Sequence, residues 1–352
     1  MIRVGIVGLG KIAQTKYLPC LLSSKQVELV AVCDQSRSLT EKLVREYRLQ
    51  LDMGCCSVEE LIGRRPDLVF VLNHDHYEIS MQLVCAHISI CVEKPVCWSS
   101  AQIRELSELA KTEQVFVYAL YMKQYDPAFQ AFCQLLRERE TPLSVQVSCY
   151  AGNNKKWCDA QYKVLKEDPE EKIFTKQQLE AVWNQFYGAD PAKKQRRSEG
   201  QLLLQLGIHQ LNLMHQAFGN LNVEQVLYHE RNHLQTIHAL FENCEGVSIH
   251  YTLIPLFLAD WLWQETYEVV YADRILRYCP GSPFLKTSES ILEQVFGENG
   301  AMEKQTLRFG VVEPFGIMIQ ELLDRYQNAC GDDSLEQAVR DLETIEAMLA
   351  IE

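Results

Sequence analysis

Short apolar runs alternate with amphipathic stretches over the first third of the chain. Runs with the length of buried strands lie at 2–7, 27–33, 67–72, 89–92 and 115–118. Between them, apolar residues recur at helical spacing over 12–22, 36–48, 57–62, 76–87 and 99–111. This alternation predicts βαβ units and hence a doubly wound parallel sheet.

The pattern changes after about residue 120. A predicted helix (127–139) and strand (143–150) lead into a polar insertion at 153–198, which a long helix at 200–218 follows. Strands without intervening helices are then predicted at 223–229, 236–241, 247–254, 266–271 and 274–278. This favours an α+β domain with a mostly antiparallel open sheet, closed by helices at 312–329 and 334–351.

The chain has 352 residues, and a single hydrophobic core rarely forms from so many residues. We therefore expect two domains. We place them at 1–120 and 121–352, with the insertion at 153–198 in the second. The helix at 334–351 is a candidate to pack back on the first domain.

Composition narrows the function classes. A net charge of −13 argues against nucleic-acid binding, which usually needs a basic surface. The 13 cysteines form no CxxC pair, several lie inside apolar runs, and no signal peptide is recognisable, which predicts reduced thiols in a cytoplasmic protein. No apolar stretch reaches the roughly 18 residues of a membrane span.

The first strand runs directly into a glycine turn. Gly8 lets the chain turn off the strand, and Gly10 lets backbone N–H groups approach a pyrophosphate with no Cβ in the way. Ala13 keeps the following helix close to the sheet, and the helix N-terminus points its dipole at the phosphates. The turn is therefore a candidate dinucleotide fingerprint.

Asp34 ends the second strand, about twenty residues after the glycine turn. A carboxylate there accepts hydrogen bonds from the adenosine ribose and repels a 2′-phosphate, which favours NAD over NADP. Arg37 weakens this preference, because its guanidinium can pair with a 2′-phosphate if it turns inward. NAD is thus the expected cofactor, with NADP as the alternative.

The strand at 89–92 ends in Glu93-Lys94-Pro95, at the sheet edge where ligands of such folds bind. Lys94 there can donate a proton or hydrogen bond to a substrate oxygen during hydride transfer. An exposed lysine before a proline turn is the alternative interpretation.

These motifs, in this order, resemble the Gfo/Idh/MocA family of glucose–fructose oxidoreductase and inositol dehydrogenase. The resemblance covers nearly the whole chain and rests on Gly8-Leu9-Gly10-Lys11-Ile12-Ala13, Asp34, the segment 76–79, Glu93-Lys94-Pro95, Gly200 and Gly207-Ile208-His209. The segment 121–127 is similar to a Met-Lys-Arg-Tyr-Asp-Pro segment in part of the family, with Gln124 in place of the arginine.

The resemblance implies a Rossmann NAD(P)-binding domain, a second domain whose sheet forms a homo-oligomer interface, and a polar sugar-, cyclitol- or sugar-nucleotide-like substrate. It implies Lys94 and His209 as catalytic residues. The alternative for His209 is a hydrogen-bonded histidine on a helix packed beneath the crevice. The cofactor residues implied are Gly8, Gly10, Lys11, Ile12, Asp34, Arg37, Asn73, His76, Glu93 and Lys94. Substrate contacts are implied for Lys123, Tyr125, Gln205 and Asn212, although helix packing explains Tyr125 equally well.

Two positions depart from the family pattern. Gln205 and Asn212 stand where the family usually has aspartates, and an amide fixes a hydroxyl but does not titrate. His209 alone still has a pKa suited to a base. No metal is expected, because His74, Asp75 and His76 lie in a loop that runs along the cofactor.

The insertion at 153–198 carries aromatic residues among many charges, namely Trp157, Tyr162, Trp183, Phe186 and Tyr187. It is either a lid over the substrate or a surface excursion with a small aromatic core of its own.

Three functions remain open: an NAD(P)-dependent dehydrogenase, a biosynthetic ketone or imine reductase, and a non-catalytic NAD(P)-dependent binding or regulatory protein. The two amides slightly favour the reductase. The enzymes differ from the binding protein in turnover on a substrate panel.

Overall fold

The structure is a computed structural model. It describes residues 1–153, 155–188, 196–232, 234–260, 262–283, 285, 288–298, 301–328 and 332–351. The chain divides into two compact units. Unit 1 holds residues 1–121, the described part of 163–194, and the described part of 315–342. Unit 2 holds 122–162, the described part of 195–314, and 343–351.

The strands, in chain order, are β1 (Ile2–Val7), β2 (Val27–Cys33), β3 (Gly54–Cys55), β4 (Leu68–Val71), β5 (Ser89–Glu93), β6 (Val117–Leu120), β7 (Ser144–Asn153), β8 (Leu221–Arg231), β9 (Leu234–Asn243), β10 (Ser248–Asp260), β11 (Trp263–Val270), β12 (Arg274–Cys279), β13 (Ile291–Glu298) and β14 (Ala301–Arg308). The α-helices are α1 (Leu18–Ser23), α2 (Arg37–Glu46), α3 (Val58–Gly63), α4 (Tyr77–Cys85), α5 (Ser100–Glu113), α6 (Pro127–Arg137), α7 (Lys155–Gln161), α8 (Pro169–Gly188), α9 (Arg197–Leu202), α10 (Ile208–Phe218), α11 (Pro314–Gln327) and α12 (Ser334–Ala350). Single π-helical turns at Ala13–Tyr17 and Leu203–Gly207 lead into α1 and α10.

The sheet of unit 1 is parallel, with the strand order β3-β2-β1-β4-β5-β6. This is the Rossmann order, in which the chain direction reverses between β1 and β4 and opens a crevice at the carboxyl ends of these strands. The β-branched and aromatic residues of the central strands are fully buried, for example Val4, Ile6 and Phe70. The predicted doubly wound parallel sheet is therefore confirmed.

Serine side chains start the helices on this sheet. Ser36 Oγ accepts a hydrogen bond from Leu39 N at the start of α2, and Ser57 Oγ accepts one from Glu60 N at the start of α3. The Glu60 carboxylate accepts in turn from Cys56 N, so Ser57 and Glu60 form a variant of the capping box.

The sheet of unit 2 has the order β14-β13-β12-β11-β7-β10-β9-β8. All pairs are antiparallel except β7 with β10, so the predicted mostly antiparallel sheet is confirmed. Alternate residues of β7 face opposite ways, with Val145 and Val147 buried and Gln146 exposed on the other face.

Three strands, β3, β13 and β14, were not expected from the sequence. β3 has two residues, which is too short for a periodic signal. β14 is exposed at every position, so it carries no alternation of apolar and polar residues, and β13 pairs with it along its whole length.

The compact units differ from the predicted domains in two segments. Residues 163–188 of the insertion belong to unit 1 and not to the second domain. The described part of 315–342 also belongs to unit 1, and α12 therefore contributes to both units.

Candidate functional site

The glycine turn after β1 has the conformation that its sequence predicts. Gly8 has φ +88°, and a Cβ built on it lies 2.4 Å from the backbone nitrogen of Asn73. A Cβ on Gly10 meets no heavy atom within 4 Å, so this glycine borders open space. The turn thus offers the close, unobstructed backbone that a pyrophosphate needs, with Lys11 and Ile12 beginning the helix.

Asp34 follows β2 at the same sheet edge. Its Oδ2 accepts from Leu9 N at 2.8 Å and its Oδ1 from Ser36 N at 2.9 Å. Burial raises the pKa of Asp34, these backbone hydrogen bonds lower it, and the carboxylates of Glu167 and Glu171 raise it. Each carboxylate oxygen has a second lone pair, so Asp34 can still accept from ribose hydroxyls.

Two buried polar atoms lie in the loop after β4. The Nδ1 of His76 lies 2.7 Å from the Pro95 carbonyl oxygen and therefore carries the proton. Burial lowers the pKa of His76 to about 4, so the ring is neutral near pH 7. Its Nε2 and the Oδ1 of Asn73 have no hydrogen-bond partner among the described residues. Buried polar atoms usually have partners, so both atoms are candidates to bind a ligand.

The carboxylate of Glu93 lies beneath the loop that carries Lys94. Glu93 accepts from the Tyr17 hydroxyl at 2.7 Å and from Lys94 N at 2.8 Å. Burial raises the pKa of Glu93, whereas the nearby Lys94 charge lowers it. Since both oxygens are used inside unit 1, Glu93 fixes the backbone of Lys94, whose own side chain is half-buried. The peptide bond between Lys94 and Pro95 is cis.

An aromatic cluster lies next to this loop. The rings of Trp98 and Trp183 are 4.4 Å apart, and Trp183 stacks on Tyr187. The indole N–H of Trp98 donates to Asp75 at 3.0 Å. Trp183 and Tyr187 are both buried. Their burial is what the interpretation of the insertion as a segment with a small aromatic core predicts. The side chains of Trp157 and Phe186 lie outside the described residues, and Tyr162 is half-buried in unit 2.

In unit 2, a π-turn precedes the helix that carries His209. His209 is half-buried on α10, Asn212 is buried one turn further, and Gln205 in the π-turn is exposed. A π-turn inserts one residue into the helix and changes which side chains share a face. In a regular helix, Gln205 and Asn212 would share a face with His209, because they lie four residues before it and three residues after it. Such π-turns are frequent at functional sites.

Lys123 is part of a buried ion pair. Its Nζ lies 2.5 Å from Glu265 Oε2, and the side chains of the two residues are 7% and 0% exposed. The Tyr267 hydroxyl donates to the other oxygen of Glu265 at 3.0 Å, and the Lys123 ammonium lies 5.2 Å from the Trp263 ring centre. Sequence reasoning missed Glu265, because 142 residues separate it from Lys123.

The neighbouring residues Tyr125 and Asp126 are also buried. Asp126 caps α6 through Ala128 N at 2.9 Å and accepts from the Tyr278 hydroxyl at 2.8 Å. The segment 123–126 therefore anchors α6 to the sheet of unit 2. His215 is likewise a core residue, with its ring nitrogens 3.2 Å from Gly219 O and 3.0 Å from Thr344 Oγ1.

No helix in the described ranges is long and apolar enough to cross a membrane. Within the same ranges, no group of three or more His, Cys, Asp or Glu side chains is arranged to hold a metal ion.

Part of the chain is similar in sequence to known proteins. D-glucoside 3-dehydrogenase of Escherichia coli is 30% identical over 148 residues, which are 40% of this chain and 39% of that protein. The chain thus matches about two fifths of this relative's length.

Two solved structures share the fold over nearly the whole chain. The 3-ketoreductase KijD10 of Actinomadura kijaniata, in complex with NADP and TDP-benzene, has a TM-score of 0.74 at 16% identity, covering 98% of this chain and 96% of its own. The dehydrogenase MviM of Clostridium difficile has a TM-score of 0.70 at 16% identity, covering 99% and 98%.

Residues 2–121 match the sequence model of GFO_IDH_MocA, described as the oxidoreductase family with an NAD-binding Rossmann fold. This agrees with the resemblance for the motifs that lie within these residues. Residues 2–121 are thus similar to the NAD-binding domain of the Gfo/Idh/MocA oxidoreductases.

Proposed function

We propose that the chain is an NAD(P)-dependent oxidoreductase acting on a carbinol or carbonyl of a sugar-, cyclitol- or sugar-nucleotide-like molecule. The observation that carries the proposal is the joint position of Gly8, Gly10, Asp34 and Lys94 at the carboxyl edge of a Rossmann-ordered sheet. The family match over the same residues supports it, as do the sugar-related names of the relatives.

The residues of unit 1 fit a dinucleotide. The open space at Gly10 suits a pyrophosphate, Asp34 suits the adenosine ribose, and the unpartnered atoms of Asn73 and His76 suit polar groups of the bound molecule. When bound, the nicotinamide ring supplies the chemistry of hydride transfer. The other roles belong to side chains of this chain.

In this proposal, Lys94 donates a hydrogen bond to the substrate oxygen and stabilises negative charge that develops on it. Glu93 is a positioning residue, because its carboxylate holds the backbone N–H of Lys94. His209 takes the hydroxyl proton in the oxidative direction and returns it in the reductive direction. Asn212 and Gln205 donate hydrogen bonds to substrate hydroxyls or accept them. Lys123 takes no part in the reaction, because its ammonium is held in the buried ion pair with Glu265.

A reductase is the second candidate, favoured by a specific observation. Asn212 and Gln205 are amides, so neither can raise the basicity of His209 as a carboxylate would. Reduction of a ketone or imine needs a proton donor instead, and Lys94 or His209 can serve. Turnover of NADH with a panel of ketoses and keto-sugar nucleotides, against NAD with the matching alcohols, separates the two directions.

The first experiment is a fluorescence titration of the purified protein with NADH and NADPH. We expect saturable binding that Asp34→Ala weakens, since this change removes the ribose acceptor. Absence of binding to either nucleotide would refute both enzymatic functions.

The second experiment tests Lys94 and His209. On any substrate found, Lys94→Ala and His209→Ala should each lower kcat about a hundredfold or more, the size of a general acid–base contribution. Cofactor affinity should change much less. The matched controls Lys111→Ala and His229→Ala alter exposed residues and should retain wild-type turnover. Unchanged turnover in Lys94→Ala would refute the mechanism, and cofactor binding with no turnover on any substrate would favour a regulatory protein.

We also propose a homo-oligomer formed through the open face of the second sheet. This face carries a groove of about 640 Å³, lined among others by Gln146, Ser148, His250, Thr252 and Arg277. Light scattering should give a mass above that of one chain, and Ser148→Arg, which places a charge in the groove, should shift it toward the monomer. A monomeric wild type would refute this assembly.

We further propose a reducing compartment, the cytoplasm, as the location. Each cysteine within the described ranges is a free thiol, and most of these are buried.

A further inference from the structure

A short acidic segment of the insertion lies against the first helices of unit 1. We call this segment, residues 163–171, the strap. Hydrogen bonds and an ion pair hold it in place. Its Leu165 N donates to the Gln14 side chain at 2.8 Å, and the Gln14 amide donates back to Leu165 O at 3.1 Å. Lys42 on α2 pairs with Asp168 at 2.7 Å. The strap therefore has a defined place beside the glycine turn and α2.

The last strap residue, Glu171, directs its carboxylate into the N-terminus of α2. Its Oε2 accepts from the hydroxyl of Ser36, the N-cap, and from the hydroxyl of Ser38 at 2.7 Å. Its Oε1 lies 3.5 Å from Ser38 N. These hydrogen bonds lower the pKa of Glu171, so the group is ionised near pH 7. A carboxylate thus already occupies an anion-binding cluster of two hydroxyls and a helix N-terminus.

This serine cluster borders the expected position of the adenosine ribose. Ser36 N donates to the carboxylate of Asp34, the ribose acceptor of the proposed function, at 2.9 Å. In Rossmann domains a 2′-phosphate lies beside this acidic position and is bound by the residues that follow it. Here those residues are Ser36, Arg37 and Ser38. Glu171 uses two of these donors itself.

The negative charges of nearby carboxylates also disfavour binding of a 2′-phosphate. Glu167 and Glu171 both lie close enough to Asp34 to raise its pKa. A 2′-phosphate placed here would meet the carboxylates of Asp34, Glu167 and Glu171, and would have to displace Glu171 from the serines.

We infer that Glu171 is the residue that selects NAD(H) over NADP(H). Its carboxylate occupies the hydrogen-bond donors that a 2′-phosphate requires and adds a negative charge beside Asp34. The inference rests on the proposed function in one respect, the binding of a dinucleotide by unit 1. It assigns the choice of cofactor to the insertion as well as to the loop after β2.

The test measures Kd for NADH and for NADPH, which differ only in the 2′-phosphate, in wild type, Glu171→Gln and Glu170→Gln. Glu170 is the matched control, since it is an exposed carboxylate one position away. Wild type should bind NADH more tightly. Glu171→Gln should tighten NADPH binding about tenfold relative to NADH, the order that one hydrogen bond to a charged group provides. Glu170→Gln should leave the ratio unchanged.

A further variant tests whether the Ser38 hydroxyl contributes to NADPH binding. Adding Ser38→Ala to Glu171→Gln should remove part of the gain for NADPH, because the Ser38 hydroxyl, which an amide oxygen holds less strongly than a carboxylate does, is then absent. Thermal melting should be alike for the two single variants, which excludes misfolding as the cause.

The outcomes separate the two claims. If wild type binds neither nucleotide, the proposed function and this inference both fail. If it binds NADPH more tightly than NADH, or if Glu171→Gln leaves the Kd ratio within twofold of wild type, the inference alone fails. An equal change in Glu170→Gln would also overturn it, since only net charge would then matter.

Discussion

Replacing Lys123 with methionine removes one partner of a buried ion pair and leaves the carboxylate of Glu265 in the core of unit 2. The two charges are 2.5 Å apart and nearly inaccessible to water. In Lys123→Met, Glu265 retains the Tyr267 hydroxyl as a hydrogen-bond donor. Removing one partner of such a pair costs about 3–5 kcal/mol. This is a large share of the ~5–15 kcal/mol by which a typical protein is stable.

Urea unfolding followed by tryptophan fluorescence and circular dichroism measures this loss. The double variant Lys123→Met/Glu265→Gln removes both charges and keeps an acceptor for Tyr267. We expect it to recover most of the stability that either single variant loses, since no unpaired charge is then buried. The cycle of four proteins isolates the interaction between the two residues.

A clear result would refute this reasoning. If Lys123→Met unfolds within about 1 kcal/mol of wild type, where ordinary substitutions fall, and KM for a substrate rises instead, then Lys123 contacts the substrate as the family resemblance implies. A loss of stability with unchanged KM assigns Lys123 to the fold.

Two other predictions concern the dinucleotide site. Gly8→Ala should destabilise unit 1, because its Cβ would lie 2.4 Å from Asn73 N at φ +88°, whereas Gly10→Ala should melt like wild type and lose NADH affinity about tenfold or more. Equal melting of both variants, seen by calorimetry, would contradict this. His76 is buried neutral with its pKa lowered to about 4, so the unfolded state binds a proton first as pH falls. Stability should fall from pH 6.5 toward 4 by about 3 kcal/mol, and His76→Gln should flatten that part of the urea-derived profile.

The sequence alone determined much of unit 1. Strand, glycine turn and helix follow one another within a few residues, so local signals are enough to predict β1, the turn and the position of Asp34. The capping serine Ser57 and its partner Glu60 are three residues apart, so local sequence is enough to predict this cap as well. Unit 2 gave weaker signals. Its exposed edge strand β14 has no apolar alternation, because all of its residues are exposed and so neither of its faces is buried.

The tertiary structure decided which distant residues meet. Glu171 reaches Ser36 across 135 residues and Glu265 reaches Lys123 across 142, and no periodicity connects such partners. The π-turn before His209 also escaped prediction, since a single inserted residue leaves the apolar pattern nearly unchanged. Gln205 in this turn is exposed. Local sequence thus encodes the elements and the cofactor turn, because their hydrogen bonds are short-range. The choice between a structural and a substrate-facing role for a charge such as Lys123 depends on partners that only folding brings together.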